Sequence, residues 1–97
     1  MPDVFKALAD PTRRAILVLL RERAMTAGDI ATHFDLTRST LSGHFSTLHA
    51  AGLVDREREG TTITYRLRLS VLEEAWLGLA AALHIGEETS RWKRNDV

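Results

Sequence analysis

Apolar residues recur along this chain in blocks whose spacing is first helical, then alternating, then helical again. Val4, Phe5 and Leu8 fall on one side of a short first helix that ends near Asp10. Asp10-Pro11 restarts the chain, with Asp as N-cap and Pro at the first helical position. Ile16, Leu17, Leu19 and Leu20 then make a largely buried second helix to about Arg23. Thr26 and Asp29 have capping-box spacing, with Asp in place of the usual Glu. They open a third helix that turns Ile30, Ala31 and Phe34 inward. After the short connection Asp35-Leu36, Thr37 caps a fourth helix whose apolar positions Leu41, Phe45 and Leu48 form one stripe. Ala50-Ala51-Gly52 ends it, with glycine supplying a left-handed C-cap.

Leu53 and Val54 begin a strand. From Thr62 to Leu67 the pattern alternates, with Ile63, Tyr65 and Leu67 on one face and Thr62, Thr64 and Arg66 on the other. The intervening Arg58-Glu59-Gly60-Thr61 reads as a hairpin turn. Tyr65, on the apolar face, is expected to pack rather than to bind. Ser70 and Glu73 have capping-box spacing and predict a last helix through roughly Ile85, with apolar positions Leu72, Trp76, Leu79 and Leu83. Beyond Gly86 the periodicity is lost. The expectation is one domain over 1–86 and a frayed tail over 87–97, because 97 residues carry too little apolar surface for a second core.

The predicted fold is mainly α with a β-hairpin. Two helices joined by a three- or four-residue turn, with a hairpin directly after the second, is the winged helix-turn-helix arrangement. Here the pair is roughly Ala27–Phe34 and Arg38–Ala51. In that arrangement the second helix enters the major groove of double-stranded DNA, while the first crosses the backbone. The outward positions of the fourth helix are Arg38, Ser39, Thr40, Ser42, Gly43, His44 and Thr47, with no carboxylate to repel phosphate. Arg38 can pair with guanine or phosphate, and the hydroxyls suit either kind of acceptor. The helix N-terminus adds free N–H groups and partial positive charge.

Three features carry two readings each. Gly43 costs roughly 1 kcal/mol relative to alanine in mid-helix; either the DNA backbone approaches closely there, or the residue is tolerated drift. Arg56 and Arg58, near the hairpin tip, either reach an adjacent minor groove and its phosphates or keep an exposed edge strand in solution. Val4, Phe5 and Leu8, with Leu72, Trp76, Leu79 and Leu83, form either a homodimer interface or a simple core seam. The dimer is the expected reading, because the two end helices carry more apolar surface than so small a monomer needs. A two-fold dimer would set two recognition helices about 34–36 Å apart on a palindromic site.

Charge limits this picture. Lys and Arg together number 13, as do Asp and Glu, so net charge is zero and tight indiscriminate DNA binding is disfavoured. The distribution still permits one modestly basic face. Between Leu36 and Gly52 there are Arg38, His44 and His49 and no acid, whereas Glu73, Glu74, Glu87 and Glu88 crowd the C-terminal third. The wing mixes Arg56, Arg58, Arg66 and Arg68 with Asp55, Glu57 and Glu59, and the glutamates dilute its charge. There is no cysteine, hence no disulfide, thiolate metal site or cysteine nucleophile, which fits a reducing cytosol. No apolar run suits a signal peptide or a membrane span, so a cytoplasmic protein is expected. An enzyme is not expected: there is no Gly-rich phosphate loop, nucleophile motif or paired acid–base set.

Phe5-Lys6-Ala7-Leu8-Ala9-Asp10-Pro11-Thr12-Arg13-Arg14-Ala15-Ile16-Leu17 resembles the opening of the ArsR-family winged-helix repressors of bacteria. Thr40-Leu41-Ser42-Gly43-His44-Phe45, then Leu48 and Ala51-Gly52-Leu53-Val54, resembles that family's recognition helix and the start of its wing, and Gly60 with Tyr65-Arg66-Leu67 resembles the wing's end. The likeness runs from about Val4 to Leu83, and within the family it points to the SdpR-like autorepressors, which lack metal-sensing thiolates. The resemblance implies a homodimer built on the first and last helices, repression by blocking a promoter, and DNA contacts from Arg38, Ser39, Thr40, Ser42, Gly43 and His44, with Arg56 and Arg58 from the wing. This sequence departs from the family at Gly43, where a long polar side chain is common, and at Phe45, usually Leu.

Sensory members hold metal through cysteines near the third helix, or through His and acidic residues on the last. The first site cannot exist here. His84 and Glu87 have His-x-x-Glu spacing, but Ser70-Val71-Leu72-Glu73-Glu74 lacks the Asp-x-His partner, so His84 reads as an ordinary surface or interface histidine. His33, His44 and His49 do not cluster by spacing, and no metal or other cofactor is expected. Two competing functions remain: a winged-helix module that binds protein rather than DNA, and a repressor that responds to a metal or ligand.

Overall fold

The predicted capping residues Asp10, Thr26 and Thr37 set the starts of the second, third and fourth helices. The first is capped by Asp3, which the pattern did not single out, and the last departs from its predicted cap. The computed structural model describes residues 3–86. In α1 (Val4–Leu8), the Asp3 carboxylate accepts from the N–H groups of Phe5 and Lys6 at 2.9 and 3.2 Å. In α2 (Pro11–Glu22), Asp10 accepts from Thr12 and Arg13 at 2.8 and 3.1 Å, and Pro11 occupies the first turn. Those two N–H groups, Arg13's first, hold the Asp10 carboxyl below its ordinary range.

The Thr26 hydroxyl caps α3 (Ala27–Ala31) by accepting from the Asp29 N–H at 3.0 Å. This helix is shorter than the expected Ala27–Phe34. After Ala31 the chain tightens, with bonds from His33 N–H to the Ile30 carbonyl and from Phe34 N–H to that of Ala31. Thr37 caps α4 (Arg38–Ala50), accepting from Thr40 N–H at 3.1 Å. Gly52, at φ 77°, ends α4 in a Schellman motif: Leu53 N–H reaches the Leu48 carbonyl and Gly52 N–H that of His49, both at 3.0 Å.

The sheet has one strand more than the sequence pattern suggests. Besides β2 (Val54–Glu59) and β3 (Thr62–Leu67), the two-residue β1 (Met25–Thr26) pairs antiparallel with β3, Met25 opposite Tyr65 and Thr26 opposite Thr64. Strand order is β1-β3-β2, so β2 is an edge. Gly60, at φ 64°, fills the first position of the two-residue turn between β2 and β3.

The predicted start of the last helix is corrected. α5 spans Leu69–Ala82, begins at Arg68 and has no side-chain cap, so Ser70 lies inside the first turn. The cause is tertiary: Arg68 N–H is bound to the Leu53 carbonyl at 2.9 Å, while its own carbonyl receives Val71 and Leu72. The strand end is thereby pinned, and the helix springs directly from it. The expected tail over 87–97 lies outside the described residues.

Ile16, Ile30, Leu41, Leu48, Leu53 and Val54 are fully buried and draw α2, α3, α4 and the sheet onto one core. Each contributes roughly 1.5–3 kcal/mol by leaving water. Tyr65 is buried with them, its ring 4.6 Å from that of Phe45, as its place on the apolar face predicts. Among the described residues, no helix is long and apolar enough to cross a membrane.

Candidate nucleic-acid interface

The inward stripe of Leu41, Phe45 and Leu48 fixes α4's rotation and leaves Arg38, Ser39, Thr40, Ser42, Gly43 and Thr47 exposed. Arg38, Ser39 and Thr40 form its first turn, where backbone N–H groups and the helix dipole favour an anion. The Thr37 hydroxyl donates to the Thr40 hydroxyl at 2.9 Å, which leaves the Thr40 proton available to an outside acceptor. Thr47 instead turns its hydroxyl back onto the Gly43 carbonyl at 3.0 Å. A Cβ on Gly43 would meet nothing within 4 Å among the described residues, so none of their contacts requires glycine there.

His44 departs from the outward set. It is half-buried, and its Nδ1 lies 3.2 Å from the guanidinium of Arg13. The same guanidinium donates from Nε to the Ala7 carbonyl at 2.7 Å and from Nη2 to the Lys6 carbonyl at 3.2 Å. Arg14 adds a bond from Nη1 to the Leu8 carbonyl at 2.8 Å. These two arginines satisfy the open carbonyl end of α1, and Arg13 also ties α1 to α4. Residue-by-residue reading assigns them no role; the available signal was a pair of cations directly after a short helix, where unbonded carbonyls attract positive charge.

Pairing register sorts the wing's charges by face. Arg56 lies opposite Tyr65 and Arg58 opposite Ile63, so both arginines share the side of the sheet that packs against α3 and α4. Asp55, Glu57 and Glu59 lie opposite Arg66, Thr64 and Thr62 on the other side. The acids therefore face away from the side that carries Arg56 and Arg58. Asp55 is also engaged with Arg68 at 3.6 Å, an exposed pair worth little in itself.

The expected interface residues divide into two groups. Val4, Leu8 and Leu72 are half-buried against the chain's own core, which gives the seam reading part of the set. Leu79 is half-buried too. Phe5, Trp76 and Leu83 are exposed, at 47%, 66% and 56%, although α1 and α5 touch. Leu69 and Leu77, which the sequence pattern did not single out, add exposed apolar surface beside Trp76. Among the described residues, no group of three or more His, Asp or Glu could hold a metal ion. His84 ends α5 at φ 58°, and Glu87 lies outside the described residues.

Comparison with known proteins gives a consistent result. Residues 10–56 match the bacterial regulatory proteins of the arsR family. The chain is 45% identical over 75 residues to the transcriptional repressor SdpR of Bacillus subtilis, covering 77% of this chain and 83% of that protein. It is 46% identical over 70 residues to the HTH-type transcriptional regulator CmtR of Mycobacterium tuberculosis, covering 72% of this chain and 59% of that one. The crystal structure of the ArsR family transcriptional regulator RHA00566 superposes with a TM-score of 0.73 at 31% identity, over 84% of this chain and 87% of that one.

Proposed function

Because this chain belongs to the arsR family of bacterial regulatory proteins, we infer that it is a DNA-binding transcriptional regulator, and specifically a repressor that occupies a palindromic operator as a homodimer. The observation that carries this reading is the exposed, acid-free start of α4, together with Arg56 and Arg58 on the face of the wing that is turned toward α3 and α4. The first turn of α4 enters the major groove. Arg38 takes a guanine edge or a phosphate, Ser39, Thr40 and Ser42 hydrogen-bond nearby acceptors, and Gly43 lets the backbone come close. His44 acts by setting the face of α4 through Arg13, and Thr47 lines the far end. Arg56 and Arg58 reach the flanking minor groove or its phosphates.

The dimer forms where α1 and α5 expose Phe5, Trp76 and Leu83, extended by Leu69 and Leu77. A two-fold interface uses the same patch twice, and so repeats the recognition helix at the spacing of successive major grooves. Repression follows from occupancy: bound protein denies the promoter to other proteins. The protein works in the cytoplasm, without catalysis and without a metal.

Selection of binding sites from a random double-stranded library tests this. The reading expects an inverted repeat whose half-sites lie about one helical turn apart. Absence of any enriched sequence would count against it.

A further inference from the structure

A cavity of about 170 Å³ opens between α3, α4 and β3. Its walls are apolar: Ala27 and Ala31 from α3, Leu41 and Phe45 from α4, Ile63 and Tyr65 from β3. The space exists because α3 presents alanines where larger side chains would fill it. At the mouth stand two exposed polar side chains, Arg38 and Ser42, one helical turn apart, and among the described residues no acid lines the cavity. Among the described residues, Arg38 has no side-chain hydrogen bond or ion pair. Arg58 stands beside Ile63 on the same face of the wing, which adds to the positive potential, whereas Glu57 and Glu59 lie on the opposite face.

These features select a ligand. A cavity of about 150 Å³ lined by aliphatic and aromatic side chains holds one benzene-sized ring. The tilted Phe45–Tyr65 pair, buried at 6% and 4% exposure, forms the floor against which such a ring would rest. A guanidinium without a partner at the mouth of an apolar pocket is matched by a carboxylate, which it takes through two parallel N–H bonds. Cations are repelled there, and a neutral ring gains only the apolar part of the site. We propose that this cavity binds a monocyclic aromatic carboxylate, its ring against Phe45 and Tyr65 and its carboxylate on Arg38 and Ser42.

One consequence rests on the DNA-binding reading above. The guanidinium that holds the carboxylate is the one that would meet DNA, so ligand and operator exclude each other. Such a ligand relieves repression by direct competition, with no relay through the dimer.

The test is an NMR titration of the full chain with benzoate and with its neutral counterpart benzamide. Resonances of Leu41, Ile63 and Tyr65 are expected to shift with both, benzoate saturating at roughly tenfold lower concentration. Arg38→Gln, an exposed substitution whose fold is checked by circular dichroism, is expected to abolish that preference. Shifts that miss these residues, or a preference retained in Arg38→Gln, overturn the proposal. In a second arm, saturating benzoate is expected to weaken operator binding by about tenfold or more, and unchanged affinity overturns the competition. A chain that binds no DNA even without benzoate sinks the repressor reading instead, and the titration alone then decides the cavity.

Discussion

The guanidinium of Arg13 lies 3.2 Å from Nδ1 of His44, and it joins the carbonyl end of α1 to the face of α4. A guanidinium only donates, so Nδ1 is the acceptor in this contact. Arg13→Met leaves the Lys6 and Ala7 carbonyls and Nδ1 without these partners. It is expected to lower unfolding stability by about 1–3 kcal/mol in urea titration. Arg13→Lys should recover little, because one ammonium cannot match the fork to three acceptors. Operator affinity is expected to fall with either change, because α1 is then no longer tied to α4 through His44.

Asp10 gives the fold an acid-sensitive element. Hydrogen bonds from Arg13 and Thr12 N–H lower its folded pKa below the ordinary 3.8. The group therefore contributes stability above 3.8, and this is lost as pH falls through the lowered folded value. Asp10→Asn keeps a capping oxygen but does not titrate. Its thermal midpoint should consequently fall less steeply than the wild type's in that acid range, and parallel slopes would remove Asp10 from the account.

Charge sorting on the wing gives a paired prediction. Arg56→Ala and Arg58→Ala should each weaken DNA binding across all sequences and reduce the salt slope by about one. Glu57→Gln, on the opposite face, should leave both nearly unchanged. An equal effect from Glu57→Gln in a salt titration would mean that net charge, rather than the arginine-bearing face, governs the wing.

Gly43→Ala separates the two readings of that residue. A methyl there meets nothing among the described residues, so helix propensity alone should raise stability by about 1 kcal/mol. If DNA approaches the backbone closely, operator affinity falls while stability rises. A gain in stability with unchanged affinity leaves tolerated drift as the explanation.

Trp76→Glu tests the dimer without threatening the core, since Trp76 is 66% exposed. Sedimentation should shift from dimer to monomer with circular dichroism retained. Leu72→Ala, at a side chain packed on the chain's own core, should lower stability whatever the oligomeric state.

Where one local bond decides an element, the sequence is a sufficient guide. Asp10 before Pro11, Thr26 three residues before Asp29, Thr37 before α4, and Gly52 after it all act through hydrogen bonds or torsions within a few residues. Features set by distant partners are not readable in that way. β1 is two residues long and exists because β3 lies beside it, and α5 starts early because Leu53 holds Arg68. The role of Arg13 depends on carbonyls six and seven residues back and an imidazole 31 residues ahead. Wing charges looked mixed along the chain because alternation places neighbours on opposite faces. For the proposed DNA site, sequence pattern gave the exposed start of α4, while strand register supplied the side on which Arg56 and Arg58 lie.

The proposed DNA-reading role of the α4 start rests above all on Arg38. The decisive measurement is the affinity of the wild type and of Arg38→Ala for the selected operator, each at two salt concentrations. Wild-type affinity is predicted to fall steeply with salt, and Arg38→Ala to lose about 1–3 kcal/mol of binding and relax specificity at one base pair while staying folded. Equal affinity of a folded Arg38→Ala, or binding indifferent to salt, would mean that the start of α4 does not read DNA.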